Sequence, residues 1–376
     1  MSELPGLRPV WGEVDLGAIR ANVEILLDAV APAQLLAVVK ADGYGHGSIP
    51  VARAALAAGA QWLGVALVEE GVTLREAGIT APILMLSEPP LTAAAAVVEN
   101  GLTPVVYTRR GIEALAVAAS KSDTSSALAV HLKIDTGMHR VGCTPSEAPE
   151  LIELISSLPG VTLGGLCTHL ANADDLQDSY TDDQIAVFEK VLEGVADRPD
   201  LIHAANSAGA IAHPSTRFNL VRAGIAMYGV APSLEVSKKI SLLPALSLHA
   251  RVAFVHRLSA GAKVSYGSRY ELKNAATIVT VPIGYADGVP RSLGLTGGEV
   301  LINAHRYPLA GTVTMDQCMV DVGDDEIAVG DEVVLLGRQG NEEITAQEWA
   351  DRLAMIPWEV VTGIGPRVPR RYRGEA

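Results

Sequence analysis

The sequence predicts an α/β protein in which an N-terminal (β/α)8 barrel is followed by a mostly β C-terminal domain. Two observations carry this prediction. Short apolar runs alternate eight times with helical patterns over the first two-thirds of the chain, and β-rich runs replace them beyond about residue 240. The length of 376 residues suits about two domains. We therefore assign 11–240 to the barrel and 241–376, together with 1–10, to the β domain.

The candidate barrel strands are short apolar segments. They cover 35–40, 62–67, 82–87, 103–108, 128–135, 161–170, 201–207 and 218–224. Between them lie amphipathic or alanine-rich segments typical of helices, at 48–58, 92–99, 110–120, 146–157 and 181–196. An open doubly wound sheet is the alternative, but the loop "GYGHG" after the first strand lacks the G-x-G-x-x-G spacing of that fold. The barrel is therefore favoured.

The segment beyond residue 240 combines β-rich runs with turns at Gly, Asn and Asp. One helix is predicted at 345–354, where Thr345 is the N-cap and Glu348 occupies the capping-box position. The N-terminal stretch "RPVWGEVDL" precedes the first barrel helix. We expect this stretch to pair with the β domain.

Composition and charge narrow the function classes. The net charge of −14 argues against nucleic acid and anionic membranes, because both bind basic surfaces. No apolar stretch reaches the ~18 residues of a membrane span, and the N-terminus has no signal-peptide pattern. The three cysteines lie far apart without metal-ligand spacing, which fits a reducing compartment. We expect a cytoplasmic enzyme without a metal.

Polar residues fall at the C-terminal ends of the predicted strands, where a (β/α)8 barrel builds its active site. Taken singly, such a residue can be explained by hydrogen bonding at the barrel rim, and a lysine at a strand end is usually a solvated charge. Six or more at one face indicate a site. They are Lys40, Lys133, Asp135, His169, Asn206, Ser207 and Arg222.

The segment "VRAGIAMYG" after the eighth strand presents backbone N–H groups at Gly224 and Ile225. Barrels often bind phosphate at the loops after strands seven and eight, and Ser207 can add its hydroxyl there. A lysine opposite a phosphate cradle suggests a Schiff base with pyridoxal phosphate, whose aldehyde needs an amine. These residues leave one alternative open, a barrel that acts on a sugar phosphate with Lys40 as a simple cation.

Nine segments, in order along nearly the whole chain, resemble those of alanine racemases, a family of pyridoxal-phosphate enzymes. They are "AVVKADGYGHG", "KIDTGMHRVG", "THLANAD", "ANSAGA", "VRAGIAMYG", "VSYGSRY", "PIGYADG", "AGTVTMDQCMVDV" and "GPRVPRRY". The resemblance implies that Lys40 holds the cofactor covalently and is one of two acid–base groups. It implies that Tyr266 is the second, supplied by the partner subunit of a homodimer. Two groups are needed because racemisation removes a proton from one face and returns one to the other.

The resemblance also implies that Arg222 faces the pyridine nitrogen of the cofactor, with His169 as its hydrogen-bonded support. Because an arginine stays protonated, the ring nitrogen would stay unprotonated, which limits side reactions such as transamination. Arg222 separates this reading from the barrel decarboxylases that resemble the first domain, since those place a carboxylate opposite that nitrogen.

Further site residues follow from the resemblance, position by position. Cofactor-binding positions are Tyr44, Asn206, Ser207, Gly224, Ile225 and Trp358, and substrate-facing positions are Arg140, Tyr285, Met315 and Asp316. Lys133 matches a lysine that is carbamylated (N6-carboxylysine) in many members. Trp358 stands where the family usually has a tyrosine, and tryptophan is bulkier and accepts no hydrogen bond. We expect weaker cofactor retention or an altered side-chain preference.

The resemblance therefore implies a homodimeric alanine racemase that interconverts L-alanine and D-alanine for bacterial peptidoglycan. The nearest alternative is a broader racemase for serine, lysine or arginine, which Lys133 and the bulky pocket positions disfavour. A barrel-fold decarboxylase is disfavoured by Arg222. A cofactor-binding homeostasis protein without catalysis is disfavoured by the second domain, which carries Tyr266.

Overall fold

The computed structural model describes residues 7–122 and 126–374. These residues form two compact units. The barrel unit comprises the described residues of Ala18–Gly43 and Ser48–Leu243. The β unit comprises those of Met1–Gly17, Tyr44–Gly47 and Pro244–Ala376. The first described strand, β1 (Val10–Asp15), belongs to the β unit.

The barrel unit is the predicted (β/α)8 barrel, with eight parallel strands that neighbour one another in the order β8, β7, β6, β5, β4, β3, β2 and β9. Their bounds are β2 (Gln34–Val38), β3 (Trp62–Val65), β4 (Ile83–Met85), β5 (Thr103–Val106), β6 (Leu128–Lys133), β7 (Val161–Cys167), β8 (Leu201–His203) and β9 (Leu220–Ala223). The Arg222 N–H donates to the Ala205 carbonyl at 3.0 Å, which brings β9 back to the β8 side. The sheet is thereby nearly closed, which excludes the open doubly wound alternative.

Helices connect these strands as the sequence predicted. They are Leu16–Val30, Ser48–Ala57, Val68–Glu76, Ala94–Glu99, Arg109–Ser120, Ala148–Ser157, Tyr180–Glu193, Ser207–Ala212 and Leu234–Ser237. The strands are apolar because parallel barrel strands are covered on both faces. Leu35 and Leu36, adjacent residues that point to opposite faces of β2, are both fully buried. Among the described residues, no helix combines the length and apolarity needed to cross a membrane.

All eight predicted strands extend past the C-terminal ends of the observed strands, and the first, sixth and seventh show what this means for the site. β2 ends at Val38 and β7 at Cys167, so Lys40 and His169 lie beyond the ladder. β8 ends at His203, and Ser207 instead begins a helix. The apolar pattern continues through these segments because they stay buried, but their backbones leave the sheet to form turns.

The β unit contains the remaining strands, in three sheets. They are β10 (Leu246–Arg251), β11 (Phe254–Leu258), β12 (Lys263–Val264), β13 (Tyr270–Glu271), β14 (Ala276–Val281), β15 (Glu299–Ile302), β16 (His305–Pro308), β17 (Cys318–Asp321), β18 (Glu332–Gln339), β19 (Glu342–Ile344) and β20 (Arg370–Arg373). The largest sheet has the order β16, β15, β18, β10, β1 and β20, with β19 paired to β18. β11, β14 and β17 form a second sheet, and β12 and β13 a third.

The N-terminal strand pairs within the β unit, in keeping with the expectation for "RPVWGEVDL". β1 runs antiparallel to β10, with Val10 opposite Ala250, and parallel to β20, with Gly12 opposite Arg370. The sequence-based domain boundary after residue 10 falls at the start of this strand, whereas the whole strand to Asp15 belongs to the sheet. The strand belongs to the sheet beyond residue 10 because it pairs with β10 on one side and with β20 on the other.

Two helices complete the β unit, Ala346–Leu353 and Pro357–Thr362. The first has the predicted N-cap, because the Thr345 hydroxyl accepts the Glu348 N–H at 3.1 Å. The Glu348 carboxylate does not complete the predicted capping box and pairs instead with Arg306 and Arg352. Its Trp349 is buried in the core of the unit with strand residues such as Leu248 and Val334. This packing anchors the helical pair to the large sheet.

Candidate active site

Lys40 begins a left-handed turn just beyond the end of β2. The next residues, Ala41, Asp42 and Gly43, have φ angles of 51°, 50° and 60°. Each L-residue in this region costs about 1–2 kcal/mol, so a run of them persists only where its surroundings determine it. The turn carries Lys40 out of the ladder and to the C-terminal end of the barrel.

Local hydrogen bonds brace this turn from within the barrel unit. The Gly43 N–H donates to the Val39 carbonyl at 2.9 Å. The Ser48 N–H donates to Oδ1 of Asp42 at 2.8 Å, which ties the turn to the next helix. The short side chains of Ala41 and Asp42 suit this tight path, and Gly43 adopts a positive φ without steric penalty.

The environment of Lys40 favours its neutral amine. Burial lowers the pKa of Lys40, and the nearby positive charge of Arg140 lowers it further, while Glu70 partly opposes both. A lowered pKa increases the fraction of unprotonated amine near neutral pH. Such an amine can attack an aldehyde and can later accept or return a proton.

Arg222 is a fully enclosed cation held by a chain of histidines. Its Nη1 lies 2.6 Å from Nδ1 of His203, and Nε2 of His203 lies 2.8 Å from Nδ1 of His131. Because a guanidinium only donates, Nδ1 of His203 is the acceptor, and His203 therefore carries its proton on Nε2. That proton points to Nδ1 of His131, so each ring has a single consistent tautomer.

The second terminal nitrogen of Arg222 is fixed just as firmly. Nη2 donates to the carbonyls of Thr168 and Ala204, each at 2.8 Å, and lies 3.2 Å from Nδ1 of His169. The guanidinium is therefore held by groups from three positions at the ends of β7 and β8. His169 thus contacts Arg222 directly.

The three histidines around Arg222 are neutral. Burial lowers the pKa of His131 to about 3, with the charge of Arg222 acting in the same direction. Burial and the charge of Arg222 likewise hold the pKa values of His169 and His203 well below 6.5. Arg222 is thus the sole cation of this cluster, and it can present its charge to a ligand without competition from an imidazolium.

Ser207 joins the ends of β8 and β9. Its Oγ accepts the Gly224 N–H at 2.9 Å and lies 3.4 Å from the Ala226 nitrogen. Both contacts use the oxygen as an acceptor, so its hydroxyl proton can donate to an anion. Asn206 caps the adjoining helix, since its Oδ1 accepts the Gly209 N–H at 3.0 Å. Ile225 follows at the start of the turn Ile225–Tyr228.

Lys133 is a second lysine in the barrel interior. It ends β6, pairs with Cys167 of β7 and is only 7% exposed. Burial is the main cause that lowers the pKa of Lys133 to about 8, and the charges of Arg222 and Arg140 contribute. With such a pKa the amine is mostly charged near physiological pH, but its neutral, nucleophilic fraction is far larger than that of an ordinary lysine.

Arg140 lies on the loop that follows β6. Asp135 organises this loop, because its Oδ1 accepts the N–H groups of Gly137 at 3.1 Å and His139 at 2.9 Å. Arg140 is exposed, yet its charge acts on both Lys40 and Lys133. The barrel unit thus brings both lysines within electrostatic range of Arg140.

The β unit presents a separate set of exposed predicted residues. Tyr266 is 71% exposed, Met315 is 52% and Tyr285 is 40%. Met315 and Tyr285 lie on adjoining loops, because the Ala286 N–H donates to the Met315 carbonyl at 3.0 Å. Exposed large side chains gathered in this way are typical of an interaction surface.

Asp316 follows Met315 on the same loop and is paired with a cation. Its Oδ1 lies 2.7 Å from Nη2 of Arg367. Arg367 also contacts the fully buried Asp287, with its Nε 3.2 Å from Oδ1. This arrangement links the loop of Asp316 to the segment of Tyr285.

Tyr44 and Trp358 also belong to the β unit. Tyr44 ends the left-handed turn with a φ of 53°, and burial raises its pKa to about 12, so it remains a neutral hydroxyl. Trp358 is half-buried on the helix Pro357–Thr362. The two segments adjoin, because a Cβ on Gly45 would lie 2.6 Å from the Val361 carbonyl oxygen.

The predicted site residues therefore divide between the units. Lys40, Lys133, Arg140, His169, Asn206, Ser207, Arg222, Gly224 and Ile225 lie in the barrel unit, and Tyr44, Tyr266, Tyr285, Met315, Asp316 and Trp358 in the β unit. His131, His203 and Glu70 were not among the residues predicted from the sequence. Strand alternation was an available signal for His131, because it lies two residues before Lys133 and so on the same face of β6.

Comparison with known proteins identifies the family. Residues 14–232 match the family model "Alanine racemase, N-terminal domain", and residues 245–372 match "Alanine racemase, C-terminal domain". The alanine racemase of Symbiobacterium thermophilum is 47% identical over 99% of both chains.

Solved structures give the same result. The alanine racemase of E. faecalis has 38% identity and a TM-score of 0.92, covering 98% of this chain and 99% of its own. A histidine racemase from Leuconostoc mesenteroides is more distant, with 29% identity and a TM-score of 0.90 over 98% of both chains. With both family domains matched along nearly its whole length, this chain belongs to the alanine racemase family.

Proposed function

We propose that this chain is a pyridoxal-phosphate-dependent racemase that interconverts L-alanine and D-alanine and so supplies D-alanine for peptidoglycan. One observation carries the proposal most directly. The barrel unit gathers a half-buried lysine with a lowered pKa and a buried arginine at one end of its strands, Lys40 and Arg222. The family membership supports the same reaction.

The residues of the barrel unit fit pyridoxal phosphate chemically. Its aldehyde needs a neutral amine, which Lys40 offers. Its phosphate needs donors, which Ser207 offers with a hydroxyl whose oxygen already accepts the Gly224 N–H. Its pyridine nitrogen needs a fixed partner, which Arg222 would offer because its guanidinium is held by His203 and by the carbonyls of Thr168 and Ala204. We propose that Tyr44, Asn206, Ile225 and Trp358 complete the cofactor site.

When bound, the cofactor withdraws electrons from an attached amino acid and makes its α-proton acidic. Lys40 then moves a proton at Cα on one face, since burial and Arg140 favour its neutral form. The partner subunit's Tyr266 serves the opposite face. Arg222 would face the ring nitrogen without protonating it, because a guanidinium stays protonated in proteins. An arginine at this position, where the barrel decarboxylases place a carboxylate, disfavours the decarboxylase alternative.

The two-base proposal requires a homodimer. The 71% exposure of Tyr266 supports this, because an acid–base group must be enclosed to be oriented and shielded from water. Tyr285 and Met315 are exposed as well, and we propose that the same partner covers them. We propose that Tyr285 lines the substrate entrance and that Arg140, Met315 and Asp316 face the substrate carboxylate. A monomerising interface mutation would then abolish racemisation while cofactor attachment to Lys40 survives.

We also propose that Lys133 is carbamylated. Its amine has a pKa of about 8, so its neutral form can attack carbon dioxide and lose one proton to form N6-carboxylysine. The resulting anion would neutralise part of the positive charge of Arg140 and Arg222.

We further propose that the enzyme prefers alanine over larger amino acids. A cytoplasmic location is proposed as well, since the three cysteines are free and buried.

The test is incubation of L-alanine in D2O with the cofactor-loaded protein, following optical rotation and α-deuteration in one sample. Loss of rotation with deuterium at Cα is the expected result. Tyr266→Phe is expected to exchange the α-proton of only one enantiomer and to retain its rotation. Serine, lysine, arginine and histidine run in parallel. A faster reaction with any of them than with alanine would overturn the alanine assignment in favour of a broader racemase.

A further inference from the structure

We propose that Glu70 is a positioning residue for Lys40, whose carboxylate fixes the backbone of the left-handed turn that carries this lysine. The inference rests on the proposed role of Lys40 and adds a residue that holds it. Glu70 lies near the start of the helix Val68–Glu76, which follows β3. It is half-buried, and both of its carboxylate oxygens are engaged.

The carboxylate joins the ends of two neighbouring strands. Its Oε1 accepts the Ala41 N–H at 2.7 Å, immediately after Lys40. Its Oε2 accepts the Ala66 N–H at 2.8 Å and the Leu67 N–H at 3.1 Å, just after β3. Three backbone donors from two separate segments therefore converge on one side chain.

The hydrogen bonds of Glu70 begin where the backbone pairing of β2 and β3 stops. One more backbone hydrogen bond joins the two chains past the paired residues, from the Val39 N–H to the Gly64 carbonyl at 2.8 Å. Beyond it the two chains diverge into a turn and a helix, and the carboxylate of Glu70 replaces the ladder. A charged acceptor forms stronger hydrogen bonds than a neutral one.

Ordinary helix capping explains only part of this geometry. A glutamate in the first turn commonly reaches back to the N–H at the helix start, as Glu70 does with Leu67. The bond to Ala41 joins residues 29 positions apart and contributes nothing to that helix. It acts on the turn, where Ala41 has a φ of 51° and needs outside support.

The charge of Glu70 acts on the same lysine. Among the described groups, those whose charges influence Lys40 are Arg140, which lowers its pKa, and Glu70, which raises it. His169 faces the same region but is neutral. Glu70 therefore limits how far burial and Arg140 depress the pKa of Lys40, in addition to holding its backbone.

The test compares Glu70→Gln with the matched control Glu69→Gln, which removes the same charge from an exposed neighbour. A glutamine has one acceptor oxygen, so it cannot serve both strand ends. Apoprotein of each variant is mixed with pyridoxal phosphate, and the rate of its attachment is followed by absorbance across pH. For Glu70→Gln we expect attachment that begins at lower pH and a kcat reduced about 10- to 100-fold, with a smaller change in KM.

Glu70→Asp separates position from charge and replaces Glu70→Gln if that variant fails to fold. It keeps the carboxylate but is one methylene shorter, so it cannot span both strand ends. We expect its attachment to follow the wild-type pH dependence while its kcat falls. If Glu70→Gln or Glu70→Asp matches Glu69→Gln in kcat and pH dependence, the positioning role is wrong, even where thermal stability is lost.

A separate measurement tests the proposed role of Lys40 independently of the role of Glu70. Borohydride reduction of the loaded wild-type protein, followed by peptide mapping, identifies the lysine that carries the cofactor. A label at Lys40 supports the role on which the inference rests. A label elsewhere overturns that role and the Glu70 inference with it, whereas a label at Lys40 with unaltered Glu70 variants overturns the inference alone.

Discussion

Nη1 of Arg222 lies 2.6 Å from Nδ1 of His203 in the interior of the barrel. His203 in turn contacts His131 at 2.8 Å, so the guanidinium is braced by side chains of β8 and β6. The cation is therefore oriented by side chains of the barrel core, together with the carbonyls of Thr168 and Ala204 just beyond the strand ends. A ligand that meets Arg222 finds its donors already in place.

His203→Leu is expected to destabilise the apoprotein by about 2–3 kcal/mol, because it leaves a buried N–H of a charged group without an acceptor. His203→Gln is expected to restore part of the loss, since its amide oxygen can accept from Arg222. Urea unfolding of the apoprotein measures both. His305→Leu, at an exposed histidine, is the control. Equal losses of stability in His203→Leu and His305→Leu would contradict a specific supporting role of His203 for Arg222.

Replacing Lys133 is expected to stabilise the apoprotein at neutral pH. The pKa of Lys133 is about 8 in the folded protein against an ordinary 10.5. Below pH 8 its amine is charged in both states, and the full cost of burying the charge is present. From 8 to 10.5 the unfolded state binds more protons, so stability rises with pH. In buffer free of carbon dioxide, Lys133→Met should gain up to ~3 kcal/mol at pH 7.

That gain should shrink as the pH rises to 10.5, which urea unfolding across the range tests. Lys273→Met, at an exposed lysine, should show no such pH dependence. Added bicarbonate should stabilise wild type and leave Lys133→Met unchanged, because only the amine can take up carbon dioxide. A bicarbonate effect of the same size in both proteins would contradict carbamylation of Lys133.

Gly45→Ala is expected to be more destabilising than Gly261→Ala. Both glycines have a positive φ, 78° and 80°, so both substitutions carry a backbone penalty of about 1 kcal/mol. A Cβ on Gly45 would also lie 2.6 Å from the Val361 carbonyl oxygen, whereas nothing lies within 4 Å of one on Gly261. Thermal unfolding distinguishes them. Equal shifts in Tm would show that the helix of Val361 moves away without cost.

Trp358→Tyr is expected to tighten cofactor retention or to change the ratio of alanine to serine rates. Tyrosine is smaller and its hydroxyl both donates and accepts, whereas tryptophan only donates. Cofactor loss on dialysis and the two rates measure the effect. Trp358→Phe is the matched control without a hydroxyl. If cofactor retention and the rate ratio are the same in Trp358→Tyr as in wild type, Trp358 is neutral in both respects.

The barrel was predictable because its strands are buried on both faces and therefore read as apolar runs. The same signal placed Lys40 and Ser207 in strands, although each lies past the ladder in a turn or a helix. Burial continues where hydrogen bonding between strands stops, and an apolar pattern reports only burial. The cap at Thr345 was predictable because its partner, Glu348, is three residues away.

The sequence by itself determined the fold class, the family and the residue types that reach the barrel's C-terminal end. It did so because hydrophobic periodicity can be read from neighbouring residues, and the order of the motifs can be read along the chain. Only the tertiary structure decided which groups hold the turn of Lys40 and the guanidinium of Arg222. Glu70 is 29 residues from Ala41, and His203 is 19 from Arg222. Such pairs form only when parallel strands bring their ends together, and nothing in the local sequence encodes that contact.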